Sequence, residues 1–250
     1  MRKFLARIHM PTILFFLLVV AVWAMISRQF GSYVMPSPIL VAQGLKTIVA
    51  SGTLWQHTYA TMWRIAIGFG MALVIAILMG LFASLWKTAN SVVNDVIAVL
   101  NSTSVFVWIV VSLIWFGLTD LAPMFTTLMI TVPVLAANVV EGVQNVDKRQ
   151  LEMAFVYKLS PSDQFRYVVI PSTIPYLVAG MKVGFGLALK VSVVAEIFGV
   201  TSGIGYIMNY SREILATDMV FVWAIVMILI LIVIDKLVFE TISKRVEQWR

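Results

Sequence analysis

The sequence predicts an all-α, polytopic membrane protein with six transmembrane helices, and three observations carry that prediction. Of its 250 residues, 61% are hydrophobic and 12% are charged, whereas soluble domains run near half apolar and about a quarter charged. Six charge-poor apolar runs approach the ~20 residues needed to cross the hydrocarbon core. Lys and Arg are also divided unevenly between the segments that join those runs. The absence of cysteine excludes a disulfide framework, thiolate metal ligation and cysteine catalysis.

The spans are expected at Met10–Ser27, Ile65–Trp86, Val96–Thr119, Leu121–Val140, Pro171–Val200 and Met219–Ile234. The first has the basic start and apolar run of a signal peptide. Its cleavage would leave five spans and set the later loops against the charge distribution, so it is kept as a span. Between the first two spans, Ser37 is a good N-cap and Pro38 a good first-turn residue. Val41, Leu45, Ile48 and Val49 follow at helical spacing and Ser51-Gly52 closes the run, which predicts an amphipathic helix lying along the outer interface. Span two carries Gly68, Ala72, Ala76 and Gly80, and span five carries Gly180, Gly184, Ala188 and Ser192. Small residues at every fourth position let backbones approach closely, and packing within the chain is the expected use. The fifth span is interrupted by Lys182, Lys190 and Glu196; the sixth is short unless Val238 and Phe239 extend it.

Six spans place both termini on one side, and the basic residues select that side. With the termini inside, the inner segments hold Arg2, Lys3, Arg7, Lys87, Lys148, Arg149, Lys158, Arg166, Lys236, Lys244, Arg245 and Arg250. The outer segments hold only Arg28, Lys46 and Arg212. Both termini are therefore expected in the cytoplasm, and so is the segment from Val146 to Pro171. The net charge of +6 reports these inner segments and gives no ground for a nucleic-acid partner.

That inner segment is the main polar interruption of the chain. It contains Asp147, Lys148, Arg149, Glu152, Lys158, Asp163 and Arg166, with Glu141 just before it. A first short helix is expected from Asp147 through Leu151, Met153, Ala154 and Phe155. A second starts at Ser160 as N-cap, with Pro161 in the first position and Asp163 as the acidic partner of a capping box. Phe165, Val168 and Val169 form its apolar stripe, and Pro171 closes it. Two caps within one loop indicate fixed structure that serves as a docking surface for a soluble partner.

This loop resembles that of the membrane subunits of binding-protein-dependent ABC importers, which has the form E-A-A, three residues, G, about nine residues, then an aliphatic residue and P. Glu152-Met153-Ala154 stands in the E-A-A place, and Phe165, Val168, Ile170 and Pro171 match the tail. Met153 replaces the second Ala and Lys158 replaces the Gly, a position where φ > 0 would cost a lysine about 1 kcal/mol. Either the loop turns differently there or Lys158 contacts the partner. Phe116-Gly117-Leu118-Thr119-Asp120 is similar to the family's outer turn after span three. Ala195-Glu196 with Ser202-Gly203-Ile204-Gly205-Tyr206, Ser37-Pro38, and Leu54-Trp55-Gln56-His57 resemble the sulfonate, taurine and nitrate branch.

The resemblance implies a type I importer permease fold in three units: the first span and outer helix at 1–55, the transmembrane domain with coupling loop 146–171 at 56–240, and a cytoplasmic tail at 241–250. It implies a homodimer in a bacterial inner membrane, surrounded by lipid, with two ATP-binding subunits and an extracytoplasmic solute-binding protein. The ATPase contact is expected at Glu152, Ala154, Lys158, Ser160, Pro161, Phe165, Val168 and Pro171. The chain itself has no G-x-x-x-x-G-K-[ST] loop to cradle phosphates, so ATP and Mg²⁺ are expected on the partner, with no cofactor here.

Ionisable side chains inside spans face the bundle interior or water. Lys190 and Glu196 are candidates for the translocation path, Lys190 as an attractor of anions and Glu196 as a structural pair or outer-gate residue. Arg64 and Lys182, near span ends, are expected to snorkel to the interface. Asn101, Ser104 and Asn138 are further path candidates; local hydrogen bonding explains them equally well. His9 and His57 are solitary, and no catalytic or metal-ligating constellation is present. The alternatives, an ion-coupled secondary transporter or a polytopic membrane enzyme, would call for inverted repeats or clustered His, Asp and Glu, and neither is evident.

Overall fold

The computed structural model describes residues 10–31 and 33–247. Twelve helices follow in order: α1 Met10–Phe30, α2 Pro38–Ala50, α3 Thr53–Ala83, α4 Lys87–Ser102, α5 Val105–Phe116, α6 Leu121–Gln144, α7 Lys148–Val156, α8 Pro161–Gln164, α9 Ile170–Gly199, α10 Ile204–Glu213, α11 Thr217–Ile234 and α12 Glu240–Glu247. Single π turns, Phe165–Val169 and Asp235–Phe239, lead into α9 and α12. Among the described residues there is no strand. Among these residues five helical stretches are long and apolar enough to cross a membrane, and α4 with α5 makes a sixth if the bent pair is taken as one span.

Helix α6 is the axis of the bundle, and the two small-residue stripes are the reason. Lipid supplies no hydrophobic drive between helices, so association depends on close van der Waals packing. Gly68 of α3 lies where a Cβ would stand 2.5 Å from the Met124 carbonyl oxygen, and Gly80 lies against Val139. From the other side, Gly180 of α9 fits against Asn138 and Gly184 against Leu135 and Phe69. Ile65, Ala72, Ala76, Leu135, Ala136, Ala188 and Leu189 fill the space between these contacts. Both stripes are thus consumed within one chain. Helix α1, by contrast, is almost wholly exposed and is tied on by Trp23, whose indole N–H donates to Pro36 O at 3.0 Å and whose ring stacks on Phe221.

Helix α2 begins as expected, with the Ser37 hydroxyl accepting from Leu40 N at 3.3 Å. Val41, Gly44 and Ile48 are its buried face, whereas Val49 is exposed. Gly44 admits Val222 of α11, so this helix is packed on the last span.

The expected third span, Val96–Thr119, is not continuous. Helices α4 and α5 meet at 89°, with Thr103 and Ser104 extended between them. The Ser102 and Thr103 hydroxyls turn back onto the carbonyls of Ala98 and Val99, at 2.8 and 3.0 Å. Such side chains compete with the helical ladder, and here they end it. The last span does extend through Val238 and Phe239, by way of the π turn.

Candidate functional site

Two polar regions lie at opposite ends of the bundle. At one end is the 146–171 loop. Asp147 caps α7 through Oδ1, which accepts from Arg149 N at 2.9 Å. Ser160 caps α8, accepting from Asp163 N at 3.2 Å and donating to Asp163 Oδ2 at 2.6 Å. Between the two helices Lys158 has φ +55°. Its N–H reaches Phe155 O at 2.9 Å and Leu159 N–H reaches Ala154 O at 3.0 Å, the paired bonds of a Schellman C-cap. The loop therefore makes the left-handed turn that glycine normally serves, with a lysine in that place.

Ala154 is buried, Phe165 and Val168 are half-buried, and Glu152, Lys158, Ser160, Pro161 and Pro171 are exposed. Phe165 lines an apolar hollow with Leu81, Val139 and Ile170, so it anchors the loop to the spans. Sequence reasoning did not single out Val156 or Tyr157, and placed Phe155 only within the helix. Phe155, Val156 and Tyr157 are 78%, 76% and 75% exposed. They run consecutively around the end of α7, so no periodicity marks them.

The second region was not anticipated as a unit. Arg64 does not snorkel: it is 2% exposed, and its guanidinium is fully committed. Nε and Nη2 donate to Asp120 Oδ1 at 3.0 and 2.7 Å. Nη2 also donates to Ser202 Oγ at 2.7 Å, and Nη1 donates to Glu196 Oε1 at 2.8 Å and Ser202 O at 2.7 Å. These contacts use all five N–H donors of the side chain. The reason is burial: an arginine on a helix face packed against α9 and the Gly203 turn is shielded from water on that side, so its charge must be met by protein groups.

Glu196 is fully buried. Its Oε2 accepts from the Thr61 hydroxyl at 2.9 Å and from Gly205 N at 3.0 Å. Thr61 Oγ1 in turn accepts from Ile204 N at 2.8 Å, and His57 Nδ1 accepts from Gly203 N at 3.1 Å. The start of α10 is therefore held by side chains of α3 and α9. Its glycines are required there. Gly203 has φ +111°, and a Cβ would stand 2.5 Å from Glu196 Oε2; one on Gly205 would strike Val193 O. The sequence segments Thr119-Asp120, Ala195-Glu196 and Ser202–Gly205 thus converge on one cluster.

The remaining candidates are dispersed. Asn101 and Ser104 are exposed at the α4–α5 break. Asn138 is half-buried, donates to Val134 O at 2.8 Å and packs on Gly180. Lys182 is half-exposed and pairs with Asp235 at 3.0 Å across to the last span. Lys190 is exposed on α9 and has no hydrogen bond or ion pair among the described residues. Among those residues no group of three His, Cys, Asp or Glu could hold a metal ion.

The family model described as "Binding-protein-dependent transport system inner membrane component" matches residues 72–248. The chain belongs to this family. The permease is 32% identical over 206 residues to SsuC of Escherichia coli (strain K12), named for aliphatic sulfonates transport; the match covers 82% of this chain and 78% of SsuC. It is 24% identical over 233 residues to the taurine transport system permease protein TauC of the same organism, covering 91% and 84%. Its fold is shared with the MetNI methionine ABC transporter in an inward-facing conformation, at a TM-score of 0.64 and 16% identity, over 75% of this permease and 93% of that chain. The chain is a permease subunit of an ABC importer, and the secondary-transporter and membrane-enzyme alternatives are not favoured.

Proposed function

We infer that two copies of this permease form the membrane path of an ATP-driven importer, with ATP and Mg²⁺ bound by a separate pair of subunits docked on the 146–171 loop. The observation that carries this reading is the consecutive exposure of Phe155, Val156 and Tyr157 beside exposed Glu152. Exposed apolar surface gathered on an otherwise polar loop marks an interaction site. The caps at Asp147 and Ser160 and the buried Ala154 hold it rigid, which is what transmitting a partner's motion requires. In this reading Ala154, Phe165 and Val168 join the two short helices to the spans. Glu152, Lys158, Ser160, Pro161 and Pro171 border the contact.

The basic-residue distribution supports termini on the cytoplasmic side of a bacterial inner membrane. The Gly203 cluster then lies at the outer face, toward an extracytoplasmic solute-binding protein. Residues 56–240 would be the transmembrane domain, following the first span and outer helix at 1–55 and preceding a short tail at 241–250. Asn101, Ser104 and Lys190 are exposed and would border the path; Asn138 and Glu196 are held behind it. The names of SsuC and TauC favour a small sulfonate-like solute.

Co-purification tests the docking surface. Tagged permease should carry the ATPase subunit through a column, and the combined Glu152→Lys and Phe155→Ser variant should not, while remaining folded in detergent. Undiminished recovery of the ATPase with that variant would refute the assignment.

A further inference from the structure

We propose that Lys190 is a specificity-determining residue that makes the path selective for small organic anions bearing a short apolar portion. This deepens the permease reading and rests on it. Lys190 stands nine residues before Gly199, the end of α9, which is about 14 Å along the helix and close to half of the ~30 Å hydrocarbon core. The other charges within α3 and α9 are all answered: Arg64 by Asp120 and Glu196, and Lys182 by Asp235. Lys190 alone has no such partner among the described residues.

Its surroundings define what it would recognise. Val183, Gly186, Val194 and Ile197 fall on the same face of α9 by helical spacing. None of them is buried. This stripe is separate from the one that packs on α6. A Cβ on Gly186, one turn from Lys190, would make only an ordinary contact with Leu231 Cδ1 of α11 at 3.7 Å, so no backbone is pressed against this face. A lone cation at this depth is too costly to face lipid, so the stripe faces water or a solute. Its ammonium offers charge and three donors to an anionic head, and Val183, Val194 and Ile197 offer an apolar wall to the remainder.

The test uses the absence of cysteine and needs no knowledge of the solute. Val194→Cys places one thiol four residues from Lys190, with about 5–6 Å between Cβ atoms. The assembled complex is treated with two methanethiosulfonate reagents of similar size, one bearing a sulfonate and one a trimethylammonium. The sulfonate reagent should react preferentially, and Lys190→Met should lower the anion-to-cation rate ratio about tenfold, the effect of removing one charge at that distance in a water-like dielectric. Lys190→Arg should restore it. An unreactive thiol would show a sealed face and overturn the proposal, as would a ratio unchanged by Lys190→Met. Failure of Lys190→Met to assemble while Lys190→Arg assembles without charge preference would also overturn it, showing a structural role. These outcomes concern Lys190 alone. ATP-driven uptake by the wild-type complex, measured in parallel, reports separately on the permease reading.

Discussion

Replacing Glu196 by Ala should cost this permease a large part of its stability, and the structure sets the scale. The substitution removes the Glu196 carboxylate from Arg64 Nη1 at 2.8 Å, from the Thr61 hydroxyl at 2.9 Å and from Gly205 N at 3.0 Å. Breaking a buried ion pair by deleting one partner costs about 3–5 kcal/mol, because the remaining charge is left uncompensated. Arg64 would still hold Asp120, but that side chain is 60% exposed, and water-exposed pairs contribute about 0–1 kcal/mol. Asp120→Asn should therefore cost under about 1 kcal/mol, and Thr61→Val about 1–3 kcal/mol, because it leaves the buried Ile204 N without its acceptor. Equilibrium unfolding of the purified protein in mixed micelles, followed by tryptophan fluorescence, ranks the three variants. The expected order is Glu196→Ala, then Thr61→Val, then Asp120→Asn. A Glu196→Ala protein within about 1 kcal/mol of wild type, or an Asp120→Asn protein as unstable as Glu196→Ala, would refute the division into a buried, energetically dominant arm and an exposed, weak one.

Further outcomes follow from the same geometry. Lys158→Gly relieves a left-handed residue at φ +55° and should raise stability by about 1 kcal/mol in the same unfolding assay; a loss would mean that the lysine side chain is held by contacts within the chain. Gly205→Ala should collapse the yield of folded protein, since its Cβ meets Val193 O, whereas Gly70→Ala, with open space around it, should leave the yield unchanged. Equal yields would count against the close approach of α10 to α9. For orientation, Glu213 and Ser162 are exposed positions at opposite ends of the bundle. An impermeant thiol reagent on intact cells should label Glu213→Cys and spare Ser162→Cys; the reverse pattern would invert the topology.

The sequence was most legible where structure is local. The caps at Ser37, Asp147 and Ser160 form as their residue types and spacing require. The small stripes at Gly68 and Gly180 also read correctly as intrachain seams, because period-four spacing is a property of one helix. The third span misled because apolar content says nothing of continuity. Its signal was the polar run Asn101–Ser104, whose hydroxyls bond backward and end α4. Arg64 misled for a different reason. Its acceptors are 56, 132 and 138 residues distant in sequence, so only the tertiary fold brings them together. A lone arginine near a span end, without that knowledge, is indistinguishable from one that snorkels. The exposed Phe155–Tyr157 run was hidden similarly: apolar residues in a short helix normally face inward, and only the loop's placement shows that these do not.

On the proposed reading, this permease has no ATPase of its own and is driven through its 146–171 loop. The direct measurement is uptake and ATP hydrolysis, recorded on the same proteoliposomes containing permease, ATPase subunit and solute-binding protein. The permease alone should hydrolyse no ATP, and the complete wild-type complex should accumulate solute only while ATP is hydrolysed. Tyr157→Ser combined with Phe155→Ser should abolish accumulation in a protein that remains folded. ATP hydrolysis by the permease alone, or undiminished accumulation with that loop variant, would overturn the docking of an ATPase on this loop.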